Sequence, residues 1–488
     1  MTFVEIPFVA FFGVVYALWF ACRRHYNANL FLLLAASLVF YGYHRWSLLF
    51  LVLAYCLVDW AVGYWMQRSG RPTLVLAIGV GFNLLVLGYW KYAPMLAATA
   101  AELARISGIV APPMPSSDWT IPFGISFYSF TGIAYMVEVY RGTVPPERHL
   151  GRFCLYKMFF PQLVAGPILR PRDFLAHLQP GAMPTRVEAP LEASLLLARG
   201  YFKKLVLADR IALGIDPFFS NVSTSATEGV WALPYVYLYA LQIYFDFSGY
   251  TDIARGLGLL FGFRWPLNFD APYLATSITD FWRRWHITLS EFLRDYLYVP
   301  LGGNRGSRWR TYLNLMLTML LGGLWHGASW SFMLWGALHG TLLTVHRMWS
   351  GCQTRRWVAA QAGVTGLVFR WLSIGLTFHC VCAAWCFFRL TVLNQSLACL
   401  KHWIRFDADK MFVGGSGDVS IWALLGVYFL GSWIAQSLAN QAKIALERRW
   451  FDAPLTQGLL WGSAVALILL SLCLSPGGAV QPFIYFQF

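Results

Sequence analysis

The sequence predicts an all-α, polytopic integral membrane protein, a helical bundle with broken or re-entrant helices around a central tunnel. Three observations carry that reading. Hydrophobic residues make up 58% of the chain and charged residues 12%, where a soluble domain carries roughly 25% charged. Apolar runs of membrane-crossing length recur from Ile6 to Leu474. The basic residues behind the net charge of +14 are scattered singly and in pairs between those runs. That distribution fits cytoplasmic loops of a membrane protein better than a nucleic-acid-binding face, so lipid is the expected partner and nucleic acid is not.

The first run, Ile6–Cys22, follows Glu5 and precedes Arg23 and Arg24, with no small-residue cleavage pattern, so a retained transmembrane helix is expected. Further spans are expected at Leu48–Met66, Pro72–Trp90, Val230–Phe247, Ala328–Val345, Trp371–Phe388, Ile421–Leu438 and Gly458–Leu474. Shorter or Gly/Pro-broken pieces lie at Leu30–Tyr43, Ile121–Val137, Phe153–Ile168, Leu257–Phe263 and Thr311–Leu324. Together they suggest roughly ten to fourteen membrane helices, some not crossing fully. Interrupted helices survive at membrane depth only beside a cavity or inside protein, which places a cavity in the middle of the chain.

Charge sets the expected orientation. Arg305, Arg308 and Arg310, then Arg347, Arg355, Arg356 and Arg370, then Lys443, Arg448 and Arg449 form basic loops that fit the cytoplasm. The last span then runs outward and leaves 475–488 outside. The piece Thr311–Leu324 would rise only about 21 Å against a hydrocarbon core of about 30 Å, which puts His326 within the membrane thickness.

His326 stands in Gly322-Gly323-Leu324-Trp325-His326-Gly327. Apolar surroundings favour a neutral imidazole, the form that accepts a proton from a hydroxyl nucleophile. A core histidine bonded to a carbonyl is an equally good reading of this stretch alone. His286 stands in Phe281-Trp282-Arg283-Arg284-Trp285-His286. There Arg283 and Arg284 could hold coenzyme phosphates and His286 could orient a carbonyl, although snorkelling arginines on an interfacial helix explain the arginines more simply. Asp246 and Asp252 interrupt an apolar run and need partners, with Arg255, Arg264 or a histidine as candidates, and an orienting or structural role is favoured. The His379, Cys380, Cys382, Cys386 cluster lacks the spacing of a metal site, so no metal is expected. Neither GxxxxGK[ST] nor GxSxG occurs.

Taken together, Phe281–Ser290, Leu293–Tyr298, Leu301–Gly306 and Trp325-His326-Gly327, with Ile121–Tyr128, Phe160–Pro167 and Asp246–Asp252 upstream, resemble bacterial membrane-bound O-acyltransferases of the alginate O-acetylation type. The resemblance covers roughly residues 120 to 345 and fits the later spans more loosely. It implies a catalytic core over 1–350, further transmembrane helices over 351–474 and an extracytoplasmic tail over 475–488. It also implies His326 as catalytic base, His286 as second active-site residue, and Trp325 beside them as a substrate-binding or orienting candidate. Acetyl-CoA from the cytoplasm is the implied donor, with no tightly bound cofactor. The implied location is the bacterial inner membrane in multi-pass form, with extracytoplasmic polysaccharide acetyltransferases as partner proteins. The ending Phe483-Ile484-Tyr485-Phe486-Gln487-Phe488 is similar to aromatic tails of related proteins, which makes Tyr485 the acyl-carrier candidate; an interfacial aromatic anchor is the plainer alternative. Two other functions stay open at this point: D-alanyl transfer toward teichoic acid, and a non-catalytic transporter, whose broken helices look the same in sequence.

Overall fold

The computed structural model describes residues 1–43, 45–110, 121–163, 166–187, 189–223, 231–352, 363–404, 424–434, 454–474 and 483–484. Helices dominate, and no strand occurs among the described residues. Two compact units are formed, one from Met1–Tyr201 with Tyr250–Pro266 and the other from Phe202–Gly249 with Leu267–Phe488.

The first unit contains α1 (Ile6–Cys22), α2 (Tyr26–Gly42), α3 (Leu48–Met66), α4 (Pro72–Leu87), α5 (Ala93–Ser107), α6 (Ile125–Tyr140), α7 (Leu150–Met158), α8 (Pro171–Phe174) and α9 (Pro190–Tyr201). Its first helix is apolar on both faces. On α1, Phe8, Val15 and Trp19 are buried, while Ile6, Val9, Val14, Leu18 and Phe20 are exposed. An outward row of Ile, Val, Leu and Phe is stable only against lipid. Polar groups lie inside instead: on α3 the buried Asp59 pairs with Lys157 of α7 and accepts Asn83 Nδ2 of α4 at 2.6 Å. Removing one member of such a pair strands a charge and costs about 3–5 kcal/mol.

The span boundaries from sequence hold at α1 and α3. Elsewhere the ends shift, because packing and capping set them: Gly363–Arg389 outruns the expected Trp371–Phe388, whereas α7 stops at Met158, short of the expected Ile168. A π-helical turn at Gly88–Tyr92 joins α4 to α5, so Pro72–Ser107 is one apolar helical run. In α14 (Arg308–His326), Ser307 caps the start by accepting the Arg310 amide, which lengthens the expected Thr311–Leu324 piece to about 28 Å at 1.5 Å per residue. His326 therefore ends a helix close to the thickness of a hydrocarbon core, not a short stub. Leu48–Met66, Pro72–Ser107 and Gly363–Arg389 are long and apolar enough to cross a membrane, and Ile6–Cys22, Tyr26–Gly42, Leu424–Ile434 and Gly458–Cys473 are shorter apolar helices.

The second unit holds α10 (Asp209–Asn221), most of α11 (Leu233–Leu260), α12 (Ile278–Arg284), α13 (Ile287–Leu293), α14, α15 (Trp330–Ser350) and the later helices Gly363–Arg389, Leu393–Ile404 and Pro454–Leu474. Its centre is the hairpin of α14 and α15. A Cβ on Gly323 would overlap the Phe332 carbonyl, and one on Gly336 would overlap the Met319 carbonyl. Small residues thus let the two backbones touch, the packing that association in lipid favours. The tight turn Gly327–Ser329 follows, with Ser329 capping α15 through the Ser331 amide.

Candidate active site

His286 lies between two seven-residue helices, α12 and α13, and neither is long enough to span a membrane. Its backbone is left-handed, with φ 42 and ψ 57. A non-glycine residue in that region is strained and persists only where neighbours hold it. Asn268 does the holding: its carbonyl oxygen accepts the Ile287 amide at 3.0 Å. Its side-chain Oδ1 accepts the Thr288 amide at 3.2 Å, the Thr288 hydroxyl at 2.9 Å and His286 Nδ1 at 3.1 Å. A backbone N–H can only donate, so the atom facing Thr288 is the amide oxygen, and the His286 Nδ1 beside it must carry the proton. The lone pair then sits on Nε2. Burial pushes the His286 imidazole down to about 3, so the ring is neutral at working pH and its Nε2 accepts rather than donates.

His326 is 6% exposed at the end of α14. Its ring meets Trp325 at 4.8 Å, Trp335 at 4.9 Å and Phe388 at 5.0 Å between centroids, all near edge-to-face. Trp325 also meets His286 at 6.1 Å. The two histidines are thus walls of one aromatic cluster, with Trp325 touching both. A third histidine belongs to the same cluster: His339 of α15 is fully buried, accepts Trp282 Nε1 at 3.3 Å and packs on Trp335 at 4.7 Å. Burial of the three rings lowers the local dielectric, which strengthens every polar contact made to a reacting group.

Beside the cluster opens a cleft of about 350 Å³ lined by Trp282, Arg283, Ser290, Arg294, Tyr298 and Thr318, among others. That size suits part of a small-molecule ligand. The arginine pair divides its roles here. Arg283 lines the cleft and is exposed, whereas Arg284 bonds Asp280 at 2.9 Å and the Asp270 carbonyl. On α14 the cleft residues Leu315, Thr318 and Met319 lie between the Arg308 end and His326, so the cleft opens on the basic side of that histidine.

Asp246 finds a partner other than those expected, whereas Asp252 adds a grip from Arg199 to its charge interaction with the expected Arg255. Asp246, 2% exposed, pairs with Lys204 at 2.8 Å instead of Arg255, Arg264 or a histidine. Asp252 belongs to the first unit and is gripped by both Arg199 nitrogens at 2.8 and 2.7 Å. Arg264 is taken by Glu192, and Arg255 donates to the Trp265 carbonyl. The reason is reach: Lys204 and Arg199 each come from a helical segment that precedes α11 by tens of residues, which spacing along one helix does not reveal. His379 bonds the Tyr237 hydroxyl at 2.9 Å. Tyr485 lies outside the described residues.

Asn268 escaped the sequence reading, since one asparagine two residues after Pro266 signals only a turn. Asn268→Ala is expected to lower turnover by about 10²-fold through misplacement of His286, with folded yield largely kept. Asn268→Asp, which keeps the acceptor oxygen, should lose less; turnover at saturating donor on size-checked protein measures both.

Comparison with known proteins identifies the family. The profile of the membrane-bound O-acyltransferase family matches residues 148–390, which include all three clustered histidines. A probable alginate O-acetylase of Azotobacter vinelandii is 37% identical over 94% of this chain and 94% of its own length. A peptidoglycan O-acetyltransferase of Helicobacter pylori is 33% identical over 78% of this chain and 74% of its own. A teichoic acid D-alanyltransferase of Bacillus subtilis is 28% identical over 53% of this chain and 66% of its own. The family match, the near full-length similarity and the helical membrane architecture agree: this chain belongs to the membrane-bound O-acyltransferase family and is an O-acyltransferase.

Proposed function

We propose that the enzyme takes an acetyl group from cytoplasmic acetyl-CoA and passes it across the inner membrane for O-acetylation of an extracellular polysaccharide, alginate, cellulose or a similar polymer. The carrying observation is similarity to a probable alginate O-acetylase over 94% of both chains. Similarity to the D-alanyltransferase reaches only 53% of this chain, so D-alanyl transfer is the weaker reading.

In this reading His326 is the general base and His286 the orienting partner. The proton of a hydroxyl nucleophile goes to imidazole nitrogen, the freed oxygen bonds to the acetyl carbonyl carbon, and the carbon–sulfur bond breaks. The proton then leaves with the coenzyme thiolate, so the base is regenerated. Arg283 and Arg294 at the cleft suit the coenzyme phosphates, and Trp325 suits the wall of the acyl position. Tyr485 is the first acceptor, and an extracytoplasmic acetyltransferase moves the group onward to the polymer.

The cleft opens toward the Arg308 end of α14, which the positive-inside rule assigns to the cytoplasm, and this supports donor entry from inside. Coenzyme phosphates do not cross lipid. In sealed, oriented vesicles, labelled acetyl-CoA supplied at the cytoplasmic face should label protein, and the same supply at the outer face should not. Equal labelling from both faces contradicts the proposal, and labelling by a D-alanyl thioester alone would select the weaker reading.

A further inference from the structure

Asp246 sits inside α11 with both carboxylate oxygens engaged. Oδ1 takes the Lys204 ammonium at 2.8 Å, and Oδ2 accepts the backbone amide of Ile484 at 2.9 Å. Lys204 is itself shared, bonding Asp209 Oδ1 at 2.7 Å. All three charged groups are buried. Phe483 and Ile484 are buried as well, at 2% and 5% exposure, and the Phe483 ring packs on Phe247 at 5.7 Å. Phe247 in turn meets the His286 ring edge-on at 4.7 Å. Phe483 is therefore docked one ring away from an active-site histidine.

The contact has the chemistry of a receptor for a peptide. A carboxylate accepting a backbone N–H makes a charge-assisted hydrogen bond, about twice as strong as a neutral one. Away from water, losing that donor leaves a carboxylate oxygen unsatisfied. Because the donor is main chain, the contact fixes register rather than residue type: it holds position 484. Lys204, itself held by Asp209, aims the carboxylate.

We propose that Asp246, braced by Lys204 and Asp209, is a positioning residue that latches the C-terminal tail at the active site through the Ile484 amide. Its catalytic consequence rests on Tyr485 being the acyl carrier, whereas the docking itself does not.

Hydrogen exchange of the C-terminal peptide in the full-length protein tests the docking. Asp246→Ala is expected to speed exchange of the Ile484 amide by about tenfold or more, the size of one charge-assisted bond. Asp246→Asn retains an acceptor oxygen and should keep most of the protection, and Tyr485→Phe should keep all of it. Should Asp246→Ala fold poorly, Ile484→Pro removes the N–H and leaves the buried charges untouched. Ile484 lies in a 3₁₀ turn, whose φ proline accepts. Tail acetylation in Ile484→Pro should fall by about tenfold or more at unchanged folded yield. Wild-type exchange in a folded Asp246→Ala protein, or wild-type tail acetylation in Ile484→Pro, overturns the latch. Full polymer acetylation by Tyr485→Phe would instead overturn the carrier reading, and the exchange comparison would still decide the latch.

Discussion

Replacing His326 by alanine is expected to lower acyl transfer by about 10²–10⁴-fold, the range that a positioned general base contributes. The helix ends at this residue and its aromatic neighbours Trp325, Trp335 and Phe388 remain, so the change removes one ring from a wall of rings. Membrane insertion depends on the apolar helices and should be unaffected. A cavity remains, however, and His326→Gln separates its effect from chemistry by filling much of the space without a proton acceptor of comparable basicity. Both variants should be equally inactive if the imidazole is the base, and turnover corrected for folded yield is the measurement. His286→Ala should reduce turnover less than His326→Ala if that ring orients the reaction. The fixed Nδ1 proton and left-handed backbone of His286 fit that role, because both serve to aim Nε2.

Tyr485→Phe is expected to stop polymer acetylation while the protein stays inserted and folded. A free phenol has a pKa near 10 and needs a base to become a nucleophile at neutral pH. Its ester is a better acyl donor than a sugar ester, because phenolate is the better leaving group. Phenylalanine keeps the ring and its interfacial affinity and removes only the hydroxyl. An aromatic anchor would tolerate that change, so polymer acetylation at the wild-type level in Tyr485→Phe would assign the tail to anchoring.

Much of this site was legible because its chemistry is concentrated in short stretches. His326 with Trp325, and His286 with Arg283 and Arg284, each stand in a motif that resemblance alone joins, and the aromatic cluster does bring the two histidines onto one tryptophan. What stayed hidden depends on contacts between distant segments. Asn268 and Thr288 meet His286 through a turn whose geometry no periodicity encodes. Lys203 and Lys204 are one basic pair in the sequence, yet Lys204 is buried with two aspartates, and Lys203 lies over the Tyr244 ring at 5.6 Å. Arg283 and Arg284 are a different case, because Asp280 stands four residues before Arg284 on the same helix, a pairing that the spacing itself offers. Helix type and the apolar faces followed from hydropathy. Helix ends such as Ser307 and Ser329 followed from single capping bonds, which window averages blur.

The most direct test of a histidine-dependent acyl transfer through the tail is mass spectrometry of the C-terminal peptide after incubation of the full-length protein with acetyl-CoA and no downstream acceptor. An acetyl adduct on Tyr485 in the wild type, absent from both His326→Ala and Tyr485→Phe, is the predicted result. An unmodified wild-type tail during continued acetyl transfer to polymer, or an adduct that persists at wild-type level in His326→Ala, would contradict it.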